Sequence, residues 1–205
     1  MSVDDPLSKG IGPAAMIALP RAAAENDADV ASQWCARLAR FGLLGAAEAH
    51  FCPAADRGEL VAVRCLVWLA REQGDTGGAQ RWLTRAAELD DPWAMNDLAI
   101  LLSRGGDRAE AMRWYRRAAD AGVTIAMNNL AIQHAVQGQL DDAERWFTSA
   151  AHAGNVDAMA NLGRLKWDAG ELQQAETWLT AAAGGGHEGA RDRLTELRAL
   201  GGARD

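Results

Sequence analysis

The sequence predicts an all-α protein made of stacked antiparallel helical hairpins, an α-solenoid, and two series of large residues carry this prediction. Tryptophan and leucine each recur with a 32-residue period. The tryptophans are Trp82, Trp114, Trp146 and Trp178, and the leucines are Leu66, Leu98, Leu130, Leu162 and Leu194. Self-similarity at a fixed period of roughly 20 to 50 residues is typical of solenoids, in which each unit buries its apolar face only against its neighbours.

Small residues repeat with the same period and indicate where the helices meet and end. The alanines form two series, Ala47, Ala79, Ala111, Ala143 and Ala175, and Ala54, Ala86, Ala118, Ala150 and Ala182. Small side chains at fixed positions let two helices approach closely. The glycines predict left-handed caps that end one helix before an acid starts the next: Gly42, Gly74, Gly106, Gly138 and Gly170. Each unit is therefore predicted to be a hairpin of two helices with a short turn.

The elements follow in order along one predicted repeat domain, residues 1–205. We expect a degenerate leading helix at 10–26, helical-hairpin repeats at 28–59, 60–91, 92–123, 124–155 and 156–187, a capping helix at 188–200 and a tail at 201–205. First helices are predicted near 28–41, 60–73, 92–105, 124–137 and 156–169, and second helices near 43–56, 75–89, 107–121, 140–153 and 171–183. Met95, Leu98 and Leu102, for example, share one helix face because they recur at three- and four-residue steps. Pro20 and Pro53 lie inside predicted helices, where we expect a kink or a split.

The best-defined block of the repeat reads Ala111-Met-Arg-Trp114-Tyr115-Arg-Arg-Ala118-Ala119-Asp-Ala-Gly122, followed by Ala126-Met127-Asn128-Asn129-Leu130-Ala131. This block resembles the Sel1-like repeat, a close relative of the tetratricopeptide repeat. The resemblance covers residues 60–195 well and 28–59 loosely, and the spacing is nearer the tetratricopeptide length than the longer Sel1-like unit. It implies a right-handed α-solenoid whose first helices line a concave surface that holds peptides or protein partners.

Composition argues against several other classes of function. The formal net charge of −7 gives no attraction to nucleic acid or to an anionic membrane surface. The apolar stretch from Leu60 to Ala70 is interrupted by Arg64 and is too short to cross a bilayer. Three cysteines without CxxC spacing indicate reduced thiols rather than disulfides or a zinc site. We therefore expect a cytoplasmic protein, and its Ala, Arg, Gly and Asp content suits a bacterial source.

No constellation in the sequence predicts catalysis. The histidines His50, His134, His152 and His187 fall in different repeats without metal-ligand spacing. The acid pairs Asp90-Asp91 and Asp141-Asp142 sit at helix starts, where capping explains them. We expect no cofactor, no bound metal and no enzymatic activity.

The predicted binding site is an apolar groove along the first helices. Of the eight tryptophans, the four periodic ones are predicted to pack between helices, whereas Trp68, Trp93 and Trp167 have no counterparts one period away. The resemblance to tetratricopeptide repeats implies that these three face the groove together with others, and the full set of expected groove residues is Arg64, Trp68, Arg71, Trp93, Asn96, Ile100, Arg104, Ile125, Asn128, Ile132, Val136, Arg164 and Trp167. The alternative is that these side chains pack on one another and close the groove. Asn128, Asn129 and Asn161 are predicted to pair with a bound main chain, and the alternative for Asn129 and Asn161 is that they satisfy carbonyl groups between helices.

Three functions follow from this reading. The leading one is an adaptor that binds a protein or peptide in the Trp-lined groove. A second is a scaffold that pairs with itself as a homodimer. An enzyme with a cryptic site is the remote alternative, because it would need clustered titratable groups.

Overall fold

The computed structural model describes residues 36–202, and this part of the chain is helical throughout, with no strand. After a helical segment at 36–40 come ten helices. They are α1 (Leu44–Asp56), α2 (Leu60–Glu72), α3 (Thr76–Glu88), α4 (Pro92–Arg104), α5 (Arg108–Asp120), α6 (Thr124–Val136), α7 (Leu140–His152), α8 (Val156–Asp168), α9 (Leu172–Gly184) and α10 (Glu188–Gly202). The predicted all-α fold class is confirmed. The leading helix at 10–26, the start of the first repeat and Pro20 lie outside the described residues.

The helices are uniform in length and spacing. Each of α1 to α9 has 13 residues, and successive helices begin at a constant interval, so that each pair of helices occupies one period of the sequence. The chain divides into two compact units, residues 1–98 and 99–205, which we call unit 1 and unit 2 and describe separately. Within each unit, helices that follow one another in sequence pack together, such as α2 with α3 and α8 with α9.

The turns between helices are Schellman motifs with a left-handed residue in the middle. At the end of α2, the N–H of Gly74 donates to the Arg71 carbonyl at 3.0 Å and the N–H of Asp75 to the Ala70 carbonyl at 2.8 Å. Gly74 has φ of +70°, which glycine adopts without steric cost. The Asp75 side chain then accepts a hydrogen bond from the Gly78 N–H at 2.9 Å and begins α3. The predicted glycine caps are confirmed.

A second series of left-handed residues ends the second helices. Its members are Gly58, Asp90, Gly122, Gly154 and Gly186, all with positive φ. Asp90, at φ of +59°, is the single non-glycine residue with positive φ in the described part of the chain. Aspartate tolerates this region better than most residues do, which is consistent with its place in the series.

Alanine fills the closest contacts of the core. All five members of the first alanine series and the described members of the second are buried or nearly so, and Ala47, Ala111, Ala143 and Ala175 are fully buried. The periodic tryptophans are only half-buried. The larger anchor is instead the residue that follows each of them, or its equivalent in α1: Phe51, Leu83, Tyr115, Phe147 and Leu179. In unit 2, Trp146 and Trp178 pack against the cluster around Phe147, so the predicted packing role holds there as a supporting one.

Of the two outcomes expected at Pro53, a kink or a split, the split does not occur. Helix α1 runs without a break from Leu44 to Asp56 with Pro53 inside it. Phe51 and Ala55 on either side of the proline are fully buried. Their packing holds the helix in place although the proline lacks an N–H to donate.

A buried lysine links three elements of unit 2. Lys166 of α8 is 6% exposed, and its Nζ donates to Glu144 of α7 at 2.6 Å and to Glu171, just before α9, at 3.1 Å. The hydrogen bond to Glu144 is the main cause that raises the pKa of Lys166, and burial opposes it. The two carboxylates thus compensate the buried ammonium group.

Helix α10 has one apolar face. Ala190, Leu194 and Leu197 are buried, and the remaining positions through residue 199 are exposed and mostly charged. Ala190 and Leu194 belong to the cluster around Leu179. The helix continues to Gly202, two residues into the predicted tail.

A substitution at Gly163 can test how closely α8 and α9 approach each other. A Cβ at this position would lie 2.8 Å from Leu179 Cγ and 3.1 Å from the Leu179 main-chain nitrogen. We expect Gly163→Ala to lower the free energy of unfolding by about 1–2 kcal/mol, because overpacking outweighs the better helix propensity of alanine.

The matched control is Gly184→Ala, at a helical glycine with no atom within 4 Å of the added Cβ. This variant should be neutral or stabilising by up to about 1 kcal/mol. Urea unfolding followed by circular dichroism measures both. Equal stabilisation by the two substitutions would contradict the tight contact.

Candidate functional site

The predicted groove residues fall in both units, and their exposure differs widely. In unit 1 they lie on α2 and the first half of α4, and in unit 2 on the second half of α4, on α6 and on α8. Five are exposed: Arg71, Trp93, Arg104, Ile125 and Val136. Six are half-buried: Arg64, Trp68, Ile100, Ile132, Arg164 and Trp167. Asn96 and Asn128 are buried, so these two lie inside the protein and not on the predicted surface.

In unit 1 the exposed indole of Trp93 stands beside a cavity of about 280 Å³, which we call the Trp93 pocket. Trp93 directly follows Pro92 in the first turn of α4, and it is 59% exposed. The pocket is lined by Arg64, Val67, Leu83, Ala86, Asp91, Trp93, Ala94 and Asp97. Its walls are therefore largely apolar, with two carboxylates and one guanidinium group among them.

A buried ion pair forms one side of the Trp93 pocket. Arg64 donates from Nε to Asp91 Oδ2 at 2.7 Å and from Nη2 to Oδ1 at 3.0 Å, a bidentate geometry. Asp91 is 2% exposed and also accepts a hydrogen bond from the main-chain N–H of Trp93 at 3.2 Å. The hydrogen bond to Asp91 raises the pKa of Arg64 against the opposing effect of burial. Asp91 thus begins α4, as predicted, and also neutralises a guanidinium group from α2.

A second, more exposed ion pair lies next to the first. Arg71 Nη2 donates to Asp97 Oδ2 at 2.7 Å, and both side chains are partly exposed. The other oxygen of Asp97 accepts a hydrogen bond from the Asn96 amide at 3.3 Å. The Asn96 amide is therefore used inside unit 1.

In unit 2 the surface of α6 contains apolar and amide groups in place of charges. No Asp, Glu, Lys or Arg occurs between Thr124 and Val136. Ile125 is 45% exposed and Val136 is 65% exposed. We call the exposed or half-buried residues Ile125, Ile132 and Val136 the α6 face; together with the buried Asn128 they recur at three- and four-residue steps on one side of the helix. An exposed helix surface without charges is unusual for a helix that faces only water.

The amides and the tryptophan of α8 connect to this face from inside unit 2. Asn161 Nδ2 donates to Asn128 Oδ1 at 3.0 Å, so the two amides satisfy each other. Ile132 packs against the cluster around Phe147, and Trp167 packs against the cluster around Leu179. Asn128 therefore contributes to folding, whereas the half-buried Ile132 and Trp167 contribute both to folding and to the surface.

Other features bear on catalysis and membrane association. In the described residues, no group of three or more His, Cys, Asp or Glu side chains is arranged to hold a metal ion. His134 is buried, with Nδ1 2.7 Å from Gln139 Oε1. None of the helices between residues 36 and 202 has the length and apolar character of a membrane span.

Three segments of the chain are similar to known repeat families. Tetratricopeptide repeat models match residues 93–121, 125–147 and 150–179. No curated protein matches the sequence.

Several solved structures have a similar fold. A Sel1 repeat protein from Oxalobacter formigenes is 22% identical, with a TM-score of 0.65 over 93% of this chain and 82% of its own. The protein c5321, a protective antigen of uropathogenic Escherichia coli strains with an SLR fold, is 21% identical, with a TM-score of 0.70 over 88% of this chain and 43% of its own. YrrB, a TPR protein with an unusual peptide-binding site, is 20% identical, with a TM-score of 0.54 over 80% of this chain and 90% of its own. Identities this low show a likeness of fold alone.

The two ion pairs of the Trp93 pocket should differ sharply in their effect on stability. We expect Asp91→Ala to lower the free energy of unfolding by about 2–4 kcal/mol, because it removes a helix cap and leaves the Arg64 guanidinium without its partner. Asp97→Ala is the control, and an exposed pair of this kind contributes only about 0–1 kcal/mol. Thermal and urea unfolding measure both variants. Losses of equal size would contradict the structural role of Asp91.

Proposed function

Because this chain carries tetratricopeptide repeats between residues 93 and 179 and shares its fold with Sel1 repeat proteins, we propose that it is an adaptor that binds a peptide segment of a protein partner. Proteins with these repeats are generally protein-interaction modules. The proposal assigns binding to the first helix of each helical hairpin, and it requires no catalytic residue and no cofactor. It keeps the cytoplasm as the compartment, as the sequence predicts.

One observation carries the proposal: the α6 face exposes isoleucine and valine where a helix facing only water would carry charges. Ile125 and Val136 lie at opposite ends of α6 and are both exposed. Apolar side chains grouped on one surface commonly mark an interaction site, because contact with a partner removes them from water. YrrB, which has a similar fold, is described as having a peptide-binding site, and this supports a peptide as the partner.

The hydrogen bond between Asn128 and Asn161 limits what the face can recognise. Because these amides already pair with each other, we assign affinity mainly to apolar contacts at Ile125 and Val136. A partner peptide should therefore carry aliphatic or aromatic anchors, which are the residues that usually dominate such interfaces.

A homodimer is the second candidate, and one observation favours it. Leu140, at the start of α7, is 53% exposed and follows closely after Val136, so two exposed apolar residues flank the same turn. Sedimentation at micromolar concentration decides between the candidates. A monomer leaves the α6 face available for a peptide. A dimer that dissociates in the Val136→Ser variant would instead support the self-associating scaffold and contradict the adaptor.

Selection from a displayed random-peptide library, followed by calorimetric titration, tests the proposal. We expect a selected peptide to lose about 1–2 kcal/mol of binding free energy in each of the variants Ile125→Ser and Val136→Ser, because each removes an apolar contact. The matched control is Leu172→Ser, which changes an exposed leucine on the second helix α9 of the same unit and should leave affinity unchanged.

Circular dichroism of all three variants should match that of the parent protein, since the three side chains are exposed. A library that yields no binder, or peptides that bind all variants equally well, would contradict the proposed function.

A further inference from the structure

We propose that the Trp93 pocket in unit 1 binds a basic side chain, arginine or lysine, of the partner. The inference rests on the proposed function, because it names the chemistry that a bound peptide presents to unit 1. It concerns a different surface from the α6 face, so that the two can be tested separately.

The shape and walls of the pocket suit a long side chain with an apolar stem. Val67, Leu83, Ala86 and Ala94 supply apolar wall, and the volume is about 280 Å³, enough for one side chain. Arginine and lysine bury their methylene groups along apolar surfaces while the charged end reaches a polar partner. An aliphatic side chain would pack against the apolar walls equally well. The charged groups of the pocket therefore decide which side chain it prefers.

The charges of the pocket favour a cation. Two carboxylates and one guanidinium group line it, a formal charge of −1 that Arg71, which pairs with Asp97 from outside the lining, offsets until it is displaced. The Asp91 carboxylate is buried and already bound by Arg64, so the accessible acceptor is Asp97. The net charge of −7 for the whole chain adds a weak attraction of the same sign. A carboxylate ligand would meet Asp97 as a like charge.

Trp93 supplies the second contact for a cation. Its indole is 59% exposed and borders the pocket. A guanidinium or ammonium group over an indole ring is attracted by the negative face of the ring, and arginine stacks there most often. An exposed tryptophan next to a carboxylate is therefore a favourable setting for a basic side chain.

The protein already places one guanidinium group on Asp97. Arg71 donates to Asp97 Oδ2 at 2.7 Å, with both side chains partly exposed. Pairs with this exposure are weak, so the guanidinium of a partner can displace Arg71 or share the carboxylate. Arg71 thus acts as an internal competitor, and its removal should strengthen binding.

Nuclear magnetic resonance of the tryptophan indole N–H groups in the full chain tests the inference, with N-acetyl-arginine amide as the probe. The Trp93 signal is assigned with Trp93→Phe. We expect a saturable shift of this signal. The uncharged isostere N-acetyl-citrulline amide should bind about five-fold more weakly than the arginine probe, since it lacks the cation.

Two variants should change the affinity in opposite directions. Asp97→Asn should weaken binding of the arginine probe about two- to five-fold, and Arg71→Gln should strengthen it by a similar factor. The matched control is Asp168→Asn, which removes the carboxylate of an exposed Arg–Asp pair in unit 2 and should have no effect. Circular dichroism checks that each variant is folded.

Three results would overturn the inference: no shift of the Trp93 signal at saturating probe, equal affinity for arginine and citrulline, or tighter binding of N-acetyl-glutamate amide together with weaker binding in Arg71→Gln. The last would make the pocket an anion site. If the arginine probe fails while a selected peptide still binds the α6 face, the inference alone is wrong. If the probe binds and no peptide is selected, the proposed function fails.

Discussion

Every turn between the described helices reverses the chain within three residues, and this constraint determines the rest of the structure. The second residue of each turn has positive φ, which requires glycine or, at one place, Asp90. The N–H of the third residue donates to a carbonyl near the end of the preceding helix, as Val123 does to Ala118 at 3.0 Å. Because the turn has a fixed length and shape, the helices begin at a constant interval along the chain.

Short turns also decide which side chains can stand between the helices. Helices joined this tightly meet through alanine or glycine, as at Gly163, where an added methyl group would collide with Leu179. The larger core residues occupy fixed positions in both helices of a hairpin, such as Leu130 in α6 and Phe147 in α7. Some large apolar residues remain at the surface, on first helices at Trp93, Ile125 and Val136 and on second helices at Leu140 and Leu172.

The helix bounds could be predicted to within two residues, because glycine and alanine positions report backbone geometry directly. The side-chain pairs could not. Arg64 and Asp91 are 27 residues apart, and Asn128 and Asn161 are 33 apart, so their pairing depends on how neighbouring helices pack and on side-chain conformations that a periodic pattern does not record. For the same reason the predicted surface positions of Asn96 and Asn128 were wrong. Of the three irregular tryptophans, Trp93 is exposed beside a pocket, whereas Trp68 and Trp167 are half-buried.

If the protein is an adaptor, a partner covers the α6 face. Spectra of the protein labelled at the isoleucine δ1-methyl groups, recorded with and without a selected peptide, test this most directly. We predict that the Ile125 signal shifts and that the Ile132 signal, from a half-buried position on the same face, follows with a smaller change. A peptide that binds tightly while both signals stay in place would contradict the account.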